Sequence, residues 1–93
     1  MAKSILQDDR ACYFCGRLDG LEMHHCFGGV ANRPISEKYG LKVWLCHEHH
    51  TGTHGAQYDK ELNRQLKIDS QMAFEKHHPR SEWMELIGKN YLG

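Results

Sequence analysis

Cysteine and histidine are the side chains best suited to bind a metal or move a proton near neutral pH, and this chain carries them in spaced pairs. Cys12-x-x-Cys15 puts two thiols on one turn, and Cys46-x-x-His49 repeats the same gap. Each half can bring two ligands to one ion, and three thiolates with one imidazole form a common tetrahedral zinc set. His50, or more weakly His47, could replace His49 as the fourth ligand. The bland reading of Cys12 and Cys15 is a pair of small buried residues, and the matching second half argues against it. Cys26 lacks such a partner and reads as an ordinary buried cysteine.

Further histidines adjoin this set. His24-His25 lies between the two halves, His50 follows His49, and His54 sits one helical turn beyond His50. A histidine base beside a metal-binding histidine is equipment for hydrolysis: one deprotonates water while the other holds the cation that stabilises developing charge. Neighbours in a regular strand point to opposite faces, so a bulge or strand end is expected if His24 and His25 serve one site. His77-His78, just before Pro79, reads instead as a solvated pair favourable to a helix C-terminus.

The elements that must position these groups are short. The chain has 93 residues, 40% of them hydrophobic, with mean hydropathy −0.70. That composition is globular, but a domain of this size is marginal by core alone and calls for a staple such as a metal. Residues 1–10 read as a loose arm, 11–57 as a metal-stapled core and 58–93 as helices. Strand character within Leu18–Phe27 ends at Gly28-Gly29. Val30–Tyr39 reads as a loop, and Leu41–Leu45 as the second strand of a hairpin. A short helix is expected from Cys46, a long one over Asp59–His77, and a last one over Glu82–Ile87 capped by Ser81. Trp44 and Trp83 read as core. The fold class expected is α+β.

No apolar run approaches the roughly 20 residues of a membrane span, and MAKSILQDDR lacks the apolar stretch of a secretory signal. A cytoplasmic setting with reduced thiols is therefore expected, which favours metal over disulfides. The formal net charge is zero. Binding of nucleic acid by bulk charge is thereby disfavoured, and any such contact must come from a local patch or from bound cations.

The order CxxC, HH, CxxHH resembles the pattern of HNH (His-Me finger, ββα-metal) endonucleases over roughly Cys12 to His54. The stretch HHCFGGVANRPISEKYGLKVWLCHEHHTG is similar to small phage and prophage members, including the recombination-enhancing nucleases, and the terminal GKNYL is familiar from prophage members. The resemblance implies a ββα-metal finger that hydrolyses DNA phosphodiester bonds, leaving 5′-phosphate and 3′-hydroxyl ends. His25 matches the general base. His24 and His50 match ligands of a catalytic Mg²⁺ or Mn²⁺, with His54 a further candidate. Cys12, Cys15, Cys46 and His49 match the structural zinc ligands, and Asn32 is the nearest counterpart of the family's asparagine. Because Mg²⁺ prefers oxygen ligands, imidazoles lean towards Mn²⁺, Co²⁺ or Ni²⁺ in vitro. Arg33, Lys38 and Lys42 are the expected phosphate contacts. A single site cuts one strand, so paired cuts would need a homodimer. Two rivals stand beside this reading: a zinc module that contacts DNA or a phage protein without cutting, and a zinc hydrolase acting on another substrate.

Overall fold

The computed structural model describes residues 3–52, 55 and 59–93; the position of His54 lies outside them. The elements run β1 Leu21–His25, α1 Gly29–Tyr39, β2 Lys42–Cys46, α2 His47–His50, α3 Lys60–Phe74 and α4 Arg80–Leu86. The fold is small α+β. β1 and β2 form a two-stranded antiparallel sheet whose register runs from Leu21 opposite Cys46 to His25 opposite Lys42.

The expected loop at 30–39 is a helix, and the correction has a physical cause. Gly28, Gly29 and Pro34 all read as breakers, yet a buried serine anchors the segment from within. Ser36 Oγ donates to the Phe27 carbonyl at 2.7 Å and accepts from the Phe27 amide at 3.2 Å. Pro34 removes one backbone donor, and the carbonyl it leaves belongs to Val30, which is 99% exposed and open to water. Gly40 ends the helix with φ +72, and its amide and that of Leu41 both reach the Ser36 carbonyl. A Cβ at Gly40 would collide with the Lys3 carbonyl, so this position demands glycine twice over.

Residues 3–10 are not a loose arm. Ile5 N donates to Gly40 O at 2.9 Å, Ser4 Oγ bonds the Lys42 carbonyl, and Trp44 N donates to Gln7 Oε1 at 2.6 Å. The segment thus satisfies the outer edge of β2, which would otherwise present unpaired backbone groups.

The long helix stops at Phe74, short of His77, and Asp59 caps it by accepting from the amides of Glu61 and Leu62. α4 begins at Arg80 rather than Glu82: Pro79, with no cap hydrogen bond, occupies the position expected for Ser81. Leu66 and Phe74 of α3 and Trp83 of α4 are fully buried with Leu41, Val43 and Leu45. β2 therefore carries core residues on one face and site residues at both ends. Trp44, expected in the core, is only half buried.

Candidate functional site

The CxxC turn is held against the sheet by Tyr13 N donating to the Trp44 carbonyl at 2.9 Å, and against α3 by Tyr13 Oη donating to Asp69 at 2.7 Å. Cys46 ends β2 and opens α2, whose first turn brings His49 back over it. Cys12, Cys15, Cys46 and His49 consequently cluster with their ligand atoms all within 4.8 Å of one another. Cys15 and Cys46 sulfurs lie 3.8 Å apart, and His49 Nδ1 lies 3.2 Å from Cys46 Sγ and 3.6 Å from Cys12 Sγ. A tetrahedral zinc with the usual bond lengths implies edges of about 3.8 Å between thiolates and about 3.5 Å from thiolate to nitrogen. The donor set and its spacing fit such an ion, so the cluster could hold a metal such as zinc. It selects His49, not His50 or His47. Burial opposes ionisation of Cys12, but backbone amides of Cys46, Cys15 and Phe14 outweigh it and bring the thiol down to about 6. The thiolate is the metal-binding form.

His50, one residue on, belongs to a second group. Its Nδ1 lies 2.6 Å from Glu22 Oε1, and its ring centroid is 5.2 Å from that of His24. His24 and Glu22 are alternate residues of β1 and so share one face. His24 Nε2 is buried and has no hydrogen-bond partner among the described residues. Burial, then the charges of His50, His25 and Lys67, lower its pKa to about 4. His24 is therefore neutral near pH 7, the state in which imidazole ligates metals.

His25 faces the other way. β1 is regular here, with His25 paired to Lys42 and His24 to Val43, so the bulge that would bring both histidines to one face is absent from this strand. His25 Nε2 sits 2.8 Å from Glu37 Oε2, and Lys42 Nζ donates to Glu37 Oε1 at 2.7 Å. The Lys42 bond, then the His25 bond, holds the Glu37 carboxyl at about 2. An ionised carboxylate only accepts, so His25 donates through Nε2 and leaves Nδ1 as its acceptor nitrogen. This trio lines a groove of about 930 Å³ between α1 and the sheet, together with Met23, Arg33 and Trp44.

The other expected residues separate. Arg33 lines the groove and is exposed. Lys42, expected as a phosphate contact, is buried and committed to Glu37. Lys38 is exposed over the Tyr39 ring at 5.4 Å, away from the groove walls. Asn32 lies in α1 and does not line the groove. His78 stacks on Phe74 at 4.4 Å and pairs with Glu82, a structural role. Sequence reasoning missed Glu22 and Glu37. The i, i+2 spacing of Glu22 and His24 in a strand was a usable signal; the approach of Glu37 from α1 had none once that segment read as a loop.

Comparison with protein-family models, with curated proteins and with solved structures finds no match to this chain.

Proposed function

We propose that this chain is a metal-dependent nuclease of the ββα-metal type, stapled by zinc at Cys12, Cys15, Cys46 and His49. One observation carries the reading: a buried, unpartnered Nε2 on His24 beside His50, whose Nδ1 is held by Glu22. An unsatisfied buried polar atom costs on the order of 1–3 kcal/mol, and ligation would remove that cost. A carboxylate on the far nitrogen of a ligating histidine is the usual orienting partner.

When bound at His24 and His50, Mg²⁺ or Mn²⁺ would supply charge neutralisation at the phosphate and leaving oxygen. His25, fixed through Nε2 by Glu37, offers Nδ1 to take the proton from water. Arg33 on the groove wall binds a phosphate oxygen. Among the described residues β1 pairs with one strand, and His24 and His25 stand on its opposite faces.

The test is nicking of supercoiled plasmid by zinc-loaded protein with no added metal, Mg²⁺ or Mn²⁺, beside His25→Ala. Metal-dependent nicking that the variant loses, with zinc content and melting unchanged, is the expected result. The bridge that occupies His25 Nε2 favours a second reading, a zinc module that contacts DNA without cutting it. Absence of nicking by a folded wild type, or unfolding of His25→Ala, would select that reading.

A further inference from the structure

α3 presents Lys60, Arg64 and Lys67 at i, i+4 and i+7, one face of a helix. They line a pocket of about 270 Å³ that Lys89 and Tyr91 close from the C-terminal segment. None of the four cations has a carboxylate partner among the described residues. Asp59, the acid at the pocket, spends its Oδ1 on the cap of α3. Like charges at this spacing destabilise a helix, so the fold carries an electrostatic cost here within a chain of zero net charge.

The pocket is rigidly built. Buried Gln71 accepts from Tyr91 N at 2.7 Å and donates to Asn90 Oδ1 at 2.9 Å, while Trp83 Nε1 donates to the Lys89 carbonyl at 2.8 Å. Lys67 Nζ lies 5.7 Å from the Phe27 ring centroid and 6.0 Å from that of Tyr91, and Lys89 Nζ lies 5.2 Å from Tyr91. Aromatic faces thus hold both ammonium groups in place. Phe27 lies two residues beyond β1, so Lys67 stands near the end of the strand that carries His24 and His25.

We infer that the pocket formed by Lys60, Arg64, Lys67 and Lys89 is a phosphate-binding track for a single nucleic-acid strand. Lys60 to Lys67 rises about 10 Å along the helix, long enough to meet more than one phosphate of a strand. A lone anion would need no such length. Cations beside an aromatic ring, here the half-buried Tyr91, are what sequence-tolerant single-strand binding uses. The inference takes its ligand from the nuclease reading but stands on a different surface.

The test measures anisotropy of a fluorescein-labelled 20-nucleotide DNA single strand, without added Mg²⁺ or Mn²⁺, across a salt series. K60Q/R64Q and K67Q/K89Q are compared with the charge-matched control R17Q/K76Q. Each track variant is expected to weaken binding roughly tenfold and to flatten the salt slope by about 1.4, since each single-strand phosphate contact contributes about 0.7. The melting temperature of K60Q/R64Q should stay level or rise, because like-charge repulsion on α3 is relieved. Equal affinity and slope in all proteins, or the same loss in the control, would overturn the inference. Strand binding lost by the track variants without any plasmid nicking by the wild type would uphold the track and remove the nuclease reading. Nicking with unchanged strand binding would do the reverse.

Discussion

At the residue scale the two carboxylates matter as much as the histidines they touch. Glu22 holds His50, which ends the short α2. A carboxylate that fixes an imidazole ligand commonly contributes 10–100-fold in metal affinity or activity. On the proposed nuclease reading, Glu22→Gln is expected to raise the Mn²⁺ concentration needed for half-maximal nicking by about 10–100-fold, with zinc content unchanged; an unaltered Mn²⁺ requirement would detach Glu22 from the site. Glu37 makes a different prediction. Its bonds to Lys42 and His25 lower its carboxyl from 4.5 to about 2. A depressed carboxyl adds stability that is complete above its unfolded value and is lost as pH falls through its folded value. Wild type and Glu37→Gln should thus differ in urea midpoint at pH 6, with the gap closing between about pH 4.5 and pH 2. A gap that persists unchanged to pH 2 would show that the carboxylate's charge is not the source.

At the scale of elements, α1 decides where Glu37 and Arg33 stand, and Gly40 decides where α1 stops. Alanine at this left-handed position costs about 1–2 kcal/mol before its Cβ meets the Lys3 carbonyl. Gly40→Ala should lower the unfolding free energy, read as a lower urea midpoint, by at least that cost and loosen the N-terminal segment, seen as faster amide exchange at Ile5 and Trp44. An unchanged midpoint would mean the segment moves aside freely. α1 is also where the sequence was least legible. The hairpin strands, α2 and α3 follow from alternation, from the CxxHH turn and from the Asp59 cap, all local signals. What anchors 29–39 beside the sheet is the Ser36 link to Phe27, a contact across nine positions that no local pattern announces. The same holds for the site. The Cys12, Cys15, Cys46, His49 set was readable because each half is one turn. The separation of His24 from His25 onto opposite faces was readable from strand parity, given a strand without a bulge. The burial of Lys42 was not, because it depends on a carboxylate arriving from a segment read as loop.

At the scale of the whole molecule, the Cys12, Cys15, Cys46, His49 cluster and the apolar core meet on one strand. Val43 and Leu45 pack with Leu66, Phe74 and Trp83, and the next residue of β2 is Cys46. The staple and the helical half should therefore melt together. Structural zinc in small fingers contributes about 10–16 kcal/mol, comparable to or larger than the whole stability of a typical domain, about 5–15 kcal/mol. Cys15 is the exposed member of the set, so Cys15→Ser opens no cavity and isolates the ligand's role. We expect this variant to bind less than one zinc per chain, and we expect its far-UV and Trp fluorescence melts to shift down together by tens of degrees. Chelation of the wild type should produce the same species. Helical ellipticity that survives chelation at the wild-type melting temperature would show instead that α3 and α4 hold their core alone, leaving the metal to shape only the hairpin and α2 that carry His24, His25 and His50.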